Sequence, residues 1–292
     1  MTVCISALAE QGRAIVCMAD RALTYGQTIQ WESDSSKMFS LRKGGMVIMF
    51  AGDEEPISRI VGKVIAKEEE LGKDVATTRR ILESEYQEAV QELVEAKFLT
   101  PRLLTREQYI KAISGTDINA TMQTVATEIN MYSPEAALIV SGFDEKGAAF
   151  ILAVDPPGVV TDMTITGFHS IGSGSEKSVS KLLFSDFSRK DPLHTVLYDV
   201  FDAKAFAEMT AGVGADWETR IITGHEAGTL VPDKIDSLVE RGWVEHEVHP
   251  FAVKGLDKDE RPPRDWKGRL RSYAASVVPP QIDGDRKKKK KV

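Results

Sequence analysis

Two short apolar segments joined by a turn begin this chain, and they restrict its fold more than any other feature. Residues 2–9 and 13–20 are mostly apolar, and Glu10-Gln11-Gly12 lies between them. This pattern predicts a pair of antiparallel strands. A second pair is predicted over 35–41 and 45–52, whereas residues 21–26 are predicted to form a loop that ends in glycine. The chain therefore begins as antiparallel sheet.

Helical periodicity dominates much of the chain after residue 56. Apolar residues recur there at helical spacing, and Pro101 interrupts the pattern. The predicted helices are 57–71, 74–97, 105–113, 122–129, 177–187, 192–210 and 232–241. Late strands are predicted over 219–223 and 228–230. Strands, helices, strands, helices and strands succeed one another in that order, which favours a layered α+β fold.

The second residue carries the chemistry that we consider first. Thr2 directly follows Met1, and the small threonine side chain permits removal of that methionine. Removal would leave an α-amine and a β-hydroxyl on one residue, and an amine with a pKa of about 7.7–8.0 can accept the hydroxyl proton near neutral pH. Asp20 ends the second strand, so antiparallel pairing would bring its carboxylate close to residue 2.

The chain resembles the proteasome β-subunit family, including its bacterial HslV-type and Anbu-type relatives. The matching segments, in chain order, are Thr2, Ala19-Asp20, Thr24-Tyr25-Gly26, Ser35-Ser36-Lys37 and Ala51-Gly52. A second block, formed by 138–144, 150–158 and 171–175, resembles the central hairpin and the Gly-Ser-Gly-Ser segment of the family. The resemblance spans residues 2–230, with a poor match between 75 and 130. It implies the four-layer αββα sandwich of N-terminal nucleophile hydrolases.

The resemblance also implies the roles of four residues. Thr2 Oγ1 would be the nucleophile, and its own amine would be the base. Lys37 would lie beside Thr2 and lower the pKa of its hydroxyl, and Asp20 would pair with Lys37 and keep it charged. The backbone N–H of Gly52 would donate to the oxyanion, because glycine permits a close approach of backbone to substrate.

Five further residues complete the expected site. Ser173 would join the hydrogen-bond network of the amine, and Glu208 is the nearest candidate for a later acidic residue of the family. Thr24 and Gly26, from the Thr-x-Gly segment, are expected to bind substrate. Glu54 is expected beside the scissile bond, where it would favour a basic side chain in the substrate.

Other interpretations remain open at the level of sequence. Taken singly, Asp20 is more simply explained as a turn residue and Lys37 as a surface lysine, because most aspartates and lysines of folded proteins are exposed. The same residues would also serve an amidohydrolase or an acyl-transferring enzyme with a small substrate. A third interpretation is a catalytically silent proteasome-like subunit. The leading prediction is a threonine-type peptidase that acts on peptides or unfolded chains as a ring-like homo-oligomer, with any ATPase or activator partner unidentified.

Charge is distributed unevenly along the 292 residues. The net charge is −7, yet residues 254–292 contain 13 Lys or Arg against 6 Asp or Glu. We expect one hydrolase domain over 2–255, with an extended helical segment over 75–130, and a basic tail over 256–292 whose end is disordered. Lys287 to Lys291 would suit an acidic partner or nucleic acid, but a solubilising tail is the favoured interpretation.

Composition bounds the remaining properties. The apolar runs are shorter than the roughly 18–20 residues of a membrane span, and we expect no signal peptide, no membrane partner and a cytoplasmic location. Cys4 and Cys17 occupy apolar strand positions, which favours core thiols in a reducing compartment. We expect no cofactor and no metal, because His246 and His249 have no third ligand at a recognisable spacing.

Overall fold

The computed structural model describes residues 2–25, 29–32, 36–41, 45–115 and 119–223. Within these ranges the strands are β1 (Cys4–Ala9), β2 (Ala14–Asp20), β3 (Ala22–Tyr25), β4 (Ile29–Glu32), β5 (Met38–Leu41), β6 (Met46–Gly52), β7 (Ala136–Phe143), β8 (Ala149–Asp155), β9 (Val159–Asp162), β10 (Phe168–Ile171) and β11 (Trp217–Thr223). The α-helices are α1 (Glu54–Ala66), α2 (Val75–Val94), α3 (Arg106–Ile113), α4 (Ala120–Met131), α5 (Ser175–Phe184) and α6 (Leu193–Ala207). A π-helical turn (Glu95–Leu99) and a 3₁₀ turn (Thr100–Arg102) follow α2.

Two antiparallel sheets organise the described part of the chain. The first has the strand order β10-β1-β2-β11, and the second has the order β5-β6-β7-β8-β9. In the first sheet Cys4 lies opposite Ala19, so the start of β1 lies beside the end of β2. The expected proximity of Asp20 to the chain start is therefore present in the structure.

Three apolar clusters stabilise these elements. One lies between the sheets and contains Cys4, Leu8 and Cys17 together with Met49 and Ile139. A second packs the other face of the first sheet against α5 and α6, and a third packs the other face of the second sheet against α1 and α2. Alternate residues of β1 enter different clusters because successive side chains of a strand point to opposite faces. A mixed fold of two antiparallel sheets and helices results.

One predicted loop is wrong, and strands β4, β9 and β10 were not predicted. Residues 22–25 form β3, which pairs with β4, instead of belonging to a loop over 21–26. The glycine that suggested a loop, Gly26, comes directly after this strand in the sequence and lies outside the described residues. Strands β9 and β10 have four residues each, too few to give a clear alternation.

Several predictions lie outside the described residues. These are the strand over 228–230, the helix over 232–241, the boundary at 255 and the basic tail over 256–292. The other predicted helices are present with shifted ends: 57–71 corresponds to α1, and 74–97 corresponds to α2 with its π-helical extension. None of the helices in the described ranges is both long enough and apolar enough to cross a membrane.

Candidate active site

Thr2 is held by the segment that joins β10 to α5. The residue is 7% exposed, and its backbone nitrogen donates to Ser173 Oγ at 3.1 Å. Its carbonyl oxygen accepts from Gly174 N at 3.1 Å. Gly172 has a φ of 92°, and a Cβ at that position would lie 2.2 Å from Thr2 O. Glycine is therefore required there both for backbone conformation and for space.

Lys37 reaches Thr2 from the start of the second sheet. Its Nζ donates to Thr2 Oγ1 at 2.7 Å, to Asp20 Oδ1 at 3.0 Å and to Ala22 O at 2.5 Å. The side chain is 5% exposed. Three acceptors match the three N–H bonds of an ammonium group, whereas a neutral amine would turn a lone pair toward one of them. The contacts around Lys37 Nζ are therefore those of an ammonium donor.

The Asp20 carboxylate is fully buried and accepts four hydrogen bonds. Oδ1 accepts from Lys37 Nζ and from Val3 N at 2.9 Å. Oδ2 accepts from Ala22 N at 3.3 Å and from Gly214 N at 3.1 Å. Buried carboxylates are stable when they are paired and hydrogen-bonded in this way. Asp20 therefore supplies a fixed negative charge that holds the Lys37 ammonium against the Thr2 hydroxyl.

Lys37 and the α-amine of Thr2 would have different chemical roles. A protonated Lys37 cannot accept the hydroxyl proton, but its charge stabilises an alkoxide at Thr2 Oγ1. The group available as a base would be the α-amine that removal of Met1 creates. Ser173 Oγ, which accepts from the Thr2 nitrogen, would keep that amine in place.

Gly52 ends β6 on the same side of the molecule as Thr2. A Cβ on Gly172 would lie 3.3 Å from Ala51 Cβ as well as 2.2 Å from Thr2 O, so the end of β6 adjoins the threonine. Gly52 has a φ of 130°, and a Cβ there would lie 1.9 Å from Glu135 O. The residue is exposed at the end of the strand.

Glu208 lies in a second charged cluster. It caps the end of α6 and accepts from Lys204 Nζ at 2.6 Å. Lys204 is fully buried and also donates to Gly214 O and Ala215 O. Glu208 is thus connected to the site through Lys204 and the loop that contacts Asp20.

Glu218 contacts the site and was not identified from the sequence. This residue of β11 is buried, and its Oε1 accepts from Lys37 N at 3.1 Å and from Ser36 Oγ. Arg21 lies 4.0 Å from its other oxygen. Glu218 fixes the backbone of Lys37 across the gap between the two sheets. The predicted strand over 219–223 began one residue too late to include it.

The three predicted substrate-binding residues are placed unequally. Thr24 lies in β3 opposite Gln30, and Gly26 lies outside the described residues. Glu54 is the first residue of α1, two positions after Gly52, and is exposed. A carboxylate near a helix N-terminus is favoured by the helix dipole. The exposed Glu54 carboxylate thus lies at the start of α1, two positions in sequence after the end of β6.

Burial governs the chemistry of Cys4, Cys17 and His169. Burial raises the pKa of the Cys17 thiol to about 12, and burial likewise raises the pKa of Cys4. Such thiols are poor nucleophiles because the thiolate is the reactive form. Burial lowers the pKa of His169. No group of three or more His, Cys, Asp or Glu within the described ranges has the geometry to hold a metal ion.

Comparison with known proteins identifies the fold class. No family model and no curated protein matches this sequence. Among solved structures, the Anbu (Gly-1) mutant from Hyphomicrobium sp. strain MC1 matches with a TM-score of 0.52 and 13% identity over 89% of this chain and 100% of that chain. Anbu (ancestral beta-subunit) from Yersinia bercovieri matches with a TM-score of 0.52 and 14% identity over 89% and 100%. Eukaryotic HslV from Trypanosoma brucei matches with a TM-score of 0.47 and 19% identity over 76% and 99%.

At these identities the Anbu structures show likeness of fold alone. The chain has a proteasome-like fold of the kind seen in Anbu. Any activity has to be argued from the residues of this chain.

Proposed function

We propose that this protein is an N-terminal threonine hydrolase that cleaves peptide bonds with Thr2 as its nucleophile. The observation that carries the proposal is the 2.7 Å hydrogen bond from the buried Lys37 ammonium to Thr2 Oγ1, with Asp20 as the counter-ion of Lys37. A buried ion pair costs desolvation free energy, and replacement of both charged residues by apolar residues of similar volume often leaves stability unchanged or raises it. A charged pair directed at a hydroxyl is therefore better explained by chemistry than by stability.

The proposed reaction begins once Met1 has been removed. Thr2 Oγ1 attacks the carbonyl carbon of the substrate while the α-amine takes the hydroxyl proton. Gly52 N–H donates to the oxyanion that forms. The C–N bond then breaks, the amine returns the proton to the leaving nitrogen, and an ester on Thr2 remains. The same amine deprotonates a water molecule, which attacks the ester carbonyl. The bond between the acyl carbon and Thr2 Oγ1 then breaks, the amine returns the proton to Oγ1, and the acid is released.

Two variants of Thr2 test this proposal. Thr2→Ala removes the hydroxyl but leaves the backbone contacts to Ser173 and Gly174, so hydrolysis should vanish while the melting temperature stays within a few degrees. Thr2→Ser retains the hydroxyl and should retain activity. The assay is hydrolysis of a mixed library of fluorogenic peptides. Turnover by purified Thr2→Ala at the wild-type rate would overturn the proposal.

The finer architecture forms part of the same proposal. We infer the layer order αββα, supported by one apolar cluster between the sheets and one on the outer face of each sheet. We also propose a single hydrolase domain over 2–255 and a cytoplasmic location. Free, buried Cys4 and Cys17 suit a reducing compartment.

We further propose that the protein works as a homo-oligomer, arranged as a ring. Support comes from the helical segment between α2 and β7, which contains α3 and α4. Helix α3 buries none of its residues, and Leu103 and Met131 are 92% and 81% exposed. Large apolar side chains with this much exposure would be shielded from water at a subunit contact. Sedimentation should give a multiple of the chain mass, and Leu103→Glu with Met131→Glu should lower it. A monomeric wild-type protein would contradict the proposal.

Substrate preference is proposed to depend on Glu54. Its exposed carboxylate, two residues from Gly52, would attract a basic side chain next to the scissile bond. Glu54→Gln should therefore reduce the preference for Lys or Arg in a peptide library. Glu55→Gln is the matched control, because Glu55 lies 3.6 Å from Arg59 and 3.5 Å from Lys97 and is already paired. Equal preferences in both variants would contradict this role.

A further inference from the structure

A second buried lysine lies behind the site. Lys204, in the last turn of α6, is fully buried. Its Nζ donates to Glu208 Oε1 at 2.6 Å, Gly214 O at 2.8 Å and Ala215 O at 2.7 Å. The two carbonyls belong to the loop between α6 and β11 and not to the end of the helix. Lys204 therefore holds this loop instead of capping its own helix.

The same loop holds Asp20. Gly214 N donates to Asp20 Oδ2 at 3.1 Å, and Arg21 N donates to Asp216 O at 3.0 Å. Gly214 thus contacts Lys204 through its carbonyl and Asp20 through its N–H. A continuous series of hydrogen bonds runs from Lys204 through Gly214, Asp20 and Lys37 to Thr2 Oγ1.

We propose that Lys204 is a positioning residue for the hydrolytic site. It fixes the 214–215 loop, the loop fixes one oxygen of Asp20, and Asp20 holds Lys37 on the Thr2 hydroxyl. Glu208 forms an ion pair with Lys204 and helps to hold it in place, which gives Glu208 a role in the site without contact to Thr2. The inference rests on the proposed function, since it assigns Lys204 to the same reaction.

The chemistry of burial supports this role. A fully buried ammonium is costly, and Lys204→Met removes that cost but also breaks the ion pair with Glu208. The Glu208 side chain is 35% exposed, so water can solvate its carboxylate after the change. Gly214 and Ala215 would lose one partner each, but their segment would keep its backbone bond to Arg21 N. Loss of Lys204 should therefore loosen the loop without unfolding the protein. A shift of about 1 Å in a catalytic group is enough to cost on the order of 10²-fold in rate.

The experiment compares Lys204→Met, Glu208→Gln and a control, Lys181→Met. Lys181 Nζ pairs with Asp202 Oδ2 at 2.9 Å between α5 and α6, so the control removes a lysine ion pair that involves the same helix but not the 214–215 loop. One readout is modification of Thr2 by a peptide epoxyketone, separated into the maximal rate kinact and the half-saturating concentration KI. The other is hydrogen exchange of the Gly214 amide, which reports on its bond to Asp20.

For Lys204→Met we expect kinact to fall by about 10- to 100-fold, KI to stay within about twofold, and Gly214 to exchange at least about tenfold faster. Glu208→Gln should move both kinact and exchange in the same direction by a smaller factor, and Lys181→Met should match the wild type. A wild-type kinact in Lys204→Met, or a lower kinact with unchanged exchange at Gly214, would overturn the proposal.

Two further outcomes are also decisive. If Lys204→Met does not fold, Glu208→Gln decides by the same two readouts: slower modification with faster exchange supports the role of Lys204, and wild-type values for both overturn it. If the wild-type protein is not modified by the epoxyketone, the proposed function fails. The exchange of Gly214 in Lys204→Met then decides separately whether Lys204 holds the loop.

Discussion

Replacement of Asp20 by asparagine is the sharpest test of how the site is held. Asp20 Oδ1 accepts from Lys37 Nζ and Val3 N, and Oδ2 accepts from Ala22 N and Gly214 N. An asparagine has one oxygen and one NH₂ group. In either orientation of its amide, two of the four donors face another donor, and the Lys37 ammonium loses its counter-ion.

The size of the effect follows from burial. Breaking a buried ion pair by removal of one charge costs about 3–5 kcal/mol, because the other charge stays behind uncompensated. Each buried N–H left without an acceptor costs about 1–3 kcal/mol, and these costs overlap with the first. We therefore expect Asp20→Asn to lower the free energy of unfolding by about 3–5 kcal/mol. The melting temperature should fall by roughly 6–20 °C for a domain of this size.

Urea unfolding followed by circular dichroism measures this loss. Asp144→Asn is the matched control: Asp144 Oδ1 accepts from Lys146 N at 2.9 Å and Ala148 N at 2.8 Å, but the residue lies in the β7–β8 turn without a buried lysine. The control should lose only about 1 kcal/mol. Equal losses in the two variants would refute the description of Asp20 and Lys37 as a tightly held buried pair.

Three further predictions concern neighbouring residues. Glu218→Ala leaves Lys37 N without this acceptor, whereas Ser36 Oγ keeps Met38 O as an acceptor. The free energy of unfolding should therefore fall by about 1–3 kcal/mol and epoxyketone modification should slow; unchanged modification would contradict a role in placing Lys37. Gly172→Ala should displace Thr2 and abolish its modification by the epoxyketone, since the new Cβ would lie 2.2 Å from Thr2 O. The control Gly62→Ala in α1 meets no atom within 4 Å and should stabilise the protein by about 1 kcal/mol. Modification of Thr2 in Gly172→Ala would contradict the placement of Thr2. Burial raises the pKa of the Cys17 thiol to about 12, so above pH ~8.5 the thiol loses its proton in the unfolded chain before it does so in the folded protein. The free energy of unfolding of the wild type should therefore fall with pH more steeply than that of Cys17→Ala, by up to about 1.4 kcal/mol per pH unit. Equal pH dependence of the two unfolding free energies would contradict the burial of this thiol.

The parts of the site that local pattern fixes could be predicted from the sequence. Asp20 lies near Thr2 because a four-residue turn joins β1 to β2 and fixes their register. The contact of Ser173 with the Thr2 nitrogen agrees with the order of segments on which the family resemblance rests. The antiparallel strands β1, β2 and β6 were predictable for the same reason, since the apolar runs that form them are long enough to indicate strands.

Contacts between distant segments could not be predicted. Glu218 meets Lys37 across 181 positions, and one acidic residue at the start of an edge strand has no pattern that singles it out. The Lys204–Glu208 pair has the four-residue spacing of a helix ion pair, which describes a surface pair equally well. Only the hydrogen bonds of Gly214 to both Lys204 and Asp20 distinguish this buried pair from an ordinary surface pair. Strand β3 was assigned to a loop because its signal lay beside Gly26.

Intact mass spectrometry of the purified protein, before and after treatment with a peptide epoxyketone, tests the central claim most directly. This reagent requires both the hydroxyl and the free amine of an N-terminal threonine. We predict that Met1 is absent and that a single adduct forms on Thr2, with no adduct on Thr2→Ala. A chain that retains Met1, or a free Thr2 that the reagent never modifies, would contradict the assignment of Thr2 as the nucleophile.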